Sequence, residues 1–178
     1  MILVVAATRA EVAHVPAGVE VLVTGLGKTA AAVATARALA GRDLDDLTVV
    51  NLGTAGALRE GLAGLHEVGV VVNYDMNAEA VRALGYDPRE RLIVGTSDVV
   101  LASGDVFVTD PVVRDRLARE AQLVDMEGYG VAYACQAFAV PVRLVKHVSD
   151  NADEGALDWP ALVDRSAREL GAWLTHLL

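Results

Sequence analysis

Strand-length runs that are apolar on both faces alternate with stretches of helical length along this chain, and that alternation most constrains its fold. "ILVVAA" (2–7), "VEVLVTG" (19–25), "LTVVNLG" (47–53), "HEVGVVVN" (66–73), "LVDM" (123–126) and "VPVRLVKHVSD" (140–150) are strands, with further strand material in "ERLIVGTSDVVLASGD" (90–105). Between them, "KTAAAVATARALAG" (28–41), "DPVVRDRLARE" (110–120), "GYGVAYACQAF" (128–138) and "DWPALVDRSARELGAWLTHLL" (158–178) read as helices. Gly41 marks a C-terminus, Asp110-Pro111 a start, Asp158 a cap and Pro160 a first turn. Strands without a polar face must be covered on both sides. The expectation is α/β: one domain over residues 1–178, with a central mixed, mostly parallel, twisted sheet flanked by helices. Residues 74–91 break the pattern and read as a loop with a helical turn.

Composition narrows the partners. Apolar residues make up 53% of the chain and the mean hydropathy is +0.38. No apolar run approaches the roughly 20 residues that span a bilayer, so no membrane partner is expected. "MILVVAATRAEV" lacks a basic leader and reads as a first strand rather than a signal peptide. A net charge of −9 argues against a nucleic-acid surface. The single cysteine, Cys135, forbids an intrachain disulfide and fits the cytoplasm.

In open α/β sheets, ligands bind at the carboxyl ends of the strands. Those ends are residues 7–11, 25–28, 53–56, 103–108, 126–127 and 149–150. "GLGKT" (25–29) mimics the end of a phosphate-binding P-loop, but Leu22 stands where that loop needs its first glycine. It reads instead as a glycine-rich strand-to-helix turn lining a pocket. "NLGTAGAL" (51–58) reads as a second such turn. His14, His66, His147 and His176 have no metal-ligand spacing, and His147 reads as a satisfied core or interface histidine. Ser103, Ser149 and Cys135 have no nucleophile-elbow context. Three acids remain at strand ends: Glu11, Glu127 and Asp150. Singly, Glu127 could serve a helix dipole and Asp150 a loop cap. Their convergence on one sheet edge points to chemistry.

These pieces, in order, resemble the purine nucleoside phosphorylase and nucleosidase superfamily. The match runs through "EV" (11–12), "TGLGKTAAA" (24–32), "NLGTAGAL", "EVGVVV" (67–72), "LASGDVFV" (101–108), "VDMEGYGVAYAC" (124–135) and "VPVRLVKHVSDNAD" (140–153). Within it the chain looks most like the methylthioadenosine/S-adenosylhomocysteine nucleosidases. The resemblance implies cleavage of a purine nucleoside's N-glycosidic bond through an oxocarbenium-like transition state, without a cofactor or metal. It implies that Asp150 protonates the leaving base, Glu127 grips the ribose hydroxyls and Glu11 activates the attacking water. Phe107 would stack on the base, the Val108 backbone would bond its edge and Met126 would pack on the sugar. Thr54 would lie near water and sugar, and Ser149 would orient Asp150. It also implies a homodimer or larger assembly.

The chain departs from the pattern. It is short between Asn73 and Arg91 and near residues 152–158, where the 5′ end of the pocket is commonly shaped. Lys146 stands where these nucleosidases often carry Arg, and Gly128-Tyr129 replace small residues. "MEGY" also suits relatives acting on futalosine. Phosphate needs Arg and backbone donors, yet Arg9 is the only arginine by the first strand end. An ionised Glu11 would repel phosphate, so water is the expected nucleophile and phosphorolysis the alternative. A non-catalytic nucleoside-binding protein is the alternative of another class. The carboxylates must divide the labour. Asp150 needs apolar surroundings to keep a proton beyond the usual pKa of about 3.9, whereas Glu127 should stay ionised.

Overall fold

The computed structural model describes the backbone of residues 1–178 and every side chain except those of Glu154, Gly155 and Pro160. The strands are β1 Ile2–Ala6, β2 Glu20–Val23, β3 Thr48–Ala57, β4 Leu65–Glu67, β5 Val70–Asn73, β6 Arg91–Ile93, β7 Val100–Ser103, β8 Leu123–Asp125 and β9 Val142–Asp150. The helices are α1 Lys28–Leu39, α2 Ala78–Ala83, α3 Pro111–Leu117, α4 Gly128–Ala137 and α5 Trp159–Leu177, the last preceded by a 3-10 turn at Glu154–Asp158.

All these strands join one mixed sheet. Five pairings are parallel: β1 with β2, β1 with β3, β3 with β9, β5 with β7, and β7 with β8. Three are antiparallel: β3 with β8, β4 with β9, and β5 with β6. β3 is the hub. One of its edges takes β1 and then β8, and the other takes β9 along residues 49–56.

Side-chain alternation along the strands builds a core on each face. Leu3, Val5 and Val49 point toward Ala31 and Leu39 of α1 and Val131 and Cys135 of α4. Val4, Val50, Leu52 and Val145 point the other way, onto Leu170 and Leu174 of α5. Each of these leucines is at least 99% buried, worth about 1.5–3 kcal/mol apiece. α1 and α4 lie backbone to backbone. A Cβ on Gly130 would stand 2.3 Å from the Lys28 carbonyl oxygen, so only glycine fits that crossing.

The structure refines two of the expected strand segments and revises two other expectations. Residues 66–73 form two strands, because the chain crosses a neighbouring backbone at Gly69, where a Cβ would fall 1.7 Å from the Ser97 carbonyl oxygen. Residues 90–105 split into β6 and β7 on opposite edges of β5. "NLGTAGAL" is not a turn: Asn51 to Ala57 continue β3, with a register shift between Ala55 and Gly56. Asp158 precedes α5 but makes no side-chain cap, although Pro160 does sit in the first turn. Elsewhere the expected helices form. Asn77 caps α2 within the irregular 74–91 segment, and Asp110 caps α3.

Candidate active site

The carboxyl ends of β1, β3, β8 and β9 surround a cavity of about 280 Å³. Glu11, Thr54, Phe107, Val108, Met126, Glu127, Ser149 and Asp150, the eight residues singled out in the sequence, all line it. Arg9 is exposed and is not among the lining residues.

Glu11 is held as an acceptor. Thr8 donates to its Oε2 from both backbone N–H and hydroxyl, each at 3.0 Å, and the Glu11 N–H returns to Thr8 Oγ1 at 3.3 Å. This reciprocal T-x-x-E arrangement resembles a helix capping box. Thr54 supplies two more donors to Oε1, its N–H at 2.9 Å and its hydroxyl at 3.0 Å. A carboxylate that accepts four hydrogen bonds has a fixed plane and a fixed position.

Glu127 occupies the N-cap position of α4 but does not cap it. The first amides of α4 are served by others: Gly128 N–H donates to Asp125 Oδ2 at 2.9 Å, and Tyr129 N–H to Ser103 Oγ at 3.1 Å. Glu127 instead turns to the start of α1 and accepts from Gly27 N–H at 2.8 Å, while Asp105 accepts from Lys28 N–H at 2.7 Å. Two amides of the "GLGKT" turn, those of Gly27 and Lys28, are therefore occupied by the chain's own carboxylates. The turn works as an anion seat, as its glycines allow, for side chains rather than for phosphate.

Glu127 is 8% exposed. Burial first, then the neighbouring Asp125 carboxylate and more weakly Glu11, push its pKa up from 4.5 to about 7, against the lowering pull of Gly27 N–H and Lys146. This corrects the expectation of a firmly ionised Glu127. The group sits at the balance point between its two forms at neutral pH, because three acids share one enclosed space. Asp150 lines the same cavity as Val124 and Ala152. It is half-buried, Ser149 Oγ donates to its Oδ2 at 2.6 Å, and Ala152 N–H to its Oδ1 at 2.9 Å. Ser149 contacts this carboxyl as expected.

Lys146 and Asp125 are the pair whose role sequence reasoning missed. Lys146 Nζ lies 2.8 Å from Asp125 Oδ2, with both side chains almost wholly buried. Burial opposes the ammonium, but Asp125, then Glu127 and Glu11, outweigh it and hold the pKa above the ordinary lysine value. One buried cation thus faces three buried acids. Their closeness explains the glycines of β3. A Cβ on Gly53 would come within 3.2 Å of both Glu11 Oε1 and Lys146 Nζ, and one on Gly56 within 3.0 Å of Asp150 Oδ1. Trp159, another residue not singled out, lines the cavity and donates from Nε1 to Thr54 Oγ1 at 2.9 Å. The Gly128-Tyr129 departure has a packing cause. A Cβ at Gly128 would meet Leu101 at 2.7 Å, and the Tyr129 hydroxyl donates to the Arg89 carbonyl at 2.7 Å.

The remaining candidates lie away from this chemistry. His147 is buried, bonds Ser166 Oγ at 2.9 Å, and has its pKa lowered chiefly by burial, as a core histidine should. Burial pushes the Cys135 thiol up to about 12, which keeps it unreactive. Among the described residues, no group of three or more His, Cys, Asp and Glu side chains is placed to hold a metal ion, and no helix is long and apolar enough to cross a membrane.

A β3-centred mixed sheet with acids gathered at its strand ends has clear counterparts. The sequence pattern of the phosphorylase superfamily matches residues 66–178, and the chain belongs to that family. Among curated relatives, an aminodeoxyfutalosine nucleosidase of Helicobacter pylori is 34% identical over 104 residues, covering 57% of this chain and 45% of the relative. The chain thus spans about half the length of that relative. A 5′-methylthioadenosine/S-adenosylhomocysteine nucleosidase of Shewanella frigidimarina is 29% identical, covering 91% of this chain and 82% of the relative. The fold matches a solved H. pylori 5′-methylthioadenosine/S-adenosylhomocysteine nucleosidase with a TM-score of 0.84 at 24% identity, covering 99% of this chain and 96% of that one.

Proposed function

We propose that this protein hydrolyses the N-glycosidic bond of a purine nucleoside of the 5′-methylthioadenosine/S-adenosylhomocysteine or futalosine type. The observation that carries the reading is the meeting of Glu11, Glu127 and Asp150 in one cavity beside the half-exposed Phe107 ring. In this reading the base stacks on Phe107, bonds the Val108 backbone with its edge, and turns its imidazole-ring nitrogen to Asp150. Met126 packs on the sugar. Asp150 transfers a proton to that nitrogen as the bond from base to anomeric carbon breaks, and the bonding electron pair leaves with the base. Glu127, seated on Gly27, uses its second oxygen for the ribose hydroxyls and opposes the positive charge growing on the sugar. Glu11 orients a water whose oxygen joins the anomeric carbon and whose proton passes to the carboxylate. The products are the free base and the free sugar.

Water is favoured over phosphate by charge. Glu11, Glu127, Asp125 and Asp150 line the cavity, and Lys146, the one buried lysine or arginine among the described residues, is paired with Asp125. A cytoplasmic location and an assembly of two or more copies belong to the same reading. Leu26 and Val106, 66% and 53% exposed at the cavity wall, favour a covered rim.

The test is base release from a nucleoside panel in phosphate-free buffer, repeated with Asp150→Asn. We expect free sugar as product, and a variant that binds nucleoside but turns over at least about 10²-fold more slowly. Dependence on added phosphate would reassign the protein to phosphorolysis. Binding without base release would make it a non-catalytic nucleoside-binding protein.

A further inference from the structure

We propose that Trp159 is a positioning residue for the reaction. Through the Thr54 hydroxyl, its indole N–H fixes the carboxylate that orients the attacking water. This rests on the hydrolytic reading above. The geometry is a two-step relay: Trp159 Nε1 lies 2.9 Å from Thr54 Oγ1, and Thr54 Oγ1 lies 3.0 Å from Glu11 Oε1. An indole N–H can only donate, and an ionised carboxylate can only accept. The Thr54 hydroxyl therefore receives from Trp159 and has one direction left for its single proton, toward Glu11.

Without the indole, the hydroxyl is free to rotate toward the ribose, a water or the cavity. Oε1 would then keep only the Thr54 N–H at 2.9 Å, while Oε2 keeps both Thr8 donors. The carboxylate would gain freedom at the oxygen that Thr54 restrains. Trp159 opens α5, and Thr54 lies in the middle of β3, 105 residues earlier. The start of α5 is thereby tied to the nucleophile's carboxylate rather than to the base or the ribose. A role confined to Glu11 should act on turnover and leave nucleoside affinity nearly alone.

The experiment is a cycle of Trp159→Phe, which keeps a ring and removes the donor, with Thr54→Val, which keeps the shape and removes the hydroxyl. A neutral hydrogen bond is worth about 0.5–1.5 kcal/mol, so Trp159→Phe should lower kcat roughly 3- to 10-fold with KM changed less than about 2-fold. The loss should persist in Thr54→Ser and vanish in Thr54→Val. A second readout does not need turnover. The chain has two tryptophans, Trp159 and Trp173, so the 15N indole spectrum has two side-chain signals. Thr54→Val should shift only the one that Trp159→Phe deletes. Unchanged kcat in Trp159→Phe, or an equal loss in the Thr54→Val background, overturns the proposal while base release by the wild type leaves the hydrolytic reading standing. Absence of base release by the wild type overturns that reading and the positioning role with it.

Discussion

Replacing Glu127 with glutamine should make the protein more stable and less active, and the stability gain should grow with pH. The folded pKa of about 7, against 4.5 for a free glutamate, means that the fold holds a proton which the unfolded chain releases between those values. Stability from this group is therefore complete below about pH 4.5 and is lost as pH rises to about 7. At 1.36 kcal/mol per pH unit, the ionised side chain costs the fold up to about 3 kcal/mol at pH 8. Glutamine mimics the neutral acid and can still accept the Gly27 N–H. Glu127→Gln should thus gain up to about 3 kcal/mol at pH 8 and under about 1 kcal/mol at pH 5. At roughly 2–4 °C per kcal/mol for a domain of this size, the pH 8 gain is a rise of about 10 °C in Tm. Thermal unfolding of both proteins at the two pH values measures it. Equal Tm differences at pH 5 and pH 8, or a loss of stability at pH 8, would refute the assignment of an expensive buried charge to Glu127. In parallel, wild-type kcat/KM should rise with pH through about 7 as Glu127 ionises. That acid limb should be missing from the residual activity of the variant.

Lys146→Met should lower stability by about 3–5 kcal/mol, because Asp125 is left buried and unpaired; adding Asp125→Asn should recover most of the loss in urea unfolding. Gly130→Ala should destabilise by about 1–3 kcal/mol despite alanine's better helix propensity, since its Cβ would press on the Lys28 carbonyl where α1 and α4 cross; denaturant midpoints at constant slope would show this.

The strand-end rule located the site because it depends only on which runs are strands and where they stop. Glu11 and Glu127 follow β1 and β8, Asp150 ends β9, and all three reach the cavity. Charge balance was not legible in the same way. Lys146 and Asp125 sit inside strand patterns, and nothing local in "RLVKHV" or "LVDM" tells that β9 and β8 bring them to 2.8 Å. Without that pair, the acids were assigned protonation roles one at a time. With it, Glu127 stands beside the Asp125 carboxylate, which adds to burial in raising its pKa. The glycines of β3 misled for a related reason. Gly53 and Gly56 look like turn residues, but they are small so that a strand can pass beside charged side chains. Trp159 carried no signal at all, since its partner Thr54 is more than a hundred residues away.

That separation has a consequence for how the protein comes into being. Gly27 meets Glu127 and Thr54 meets Trp159 across spans of 100 and 105 residues, and β3 waits for β9 to occupy its free edge. During synthesis, the first three strands leave the ribosome with their future pocket open and the Thr54 hydroxyl without its Trp159 donor. Because those contacts close last, the pocket should be the last part of the molecule to acquire protection from hydrogen exchange.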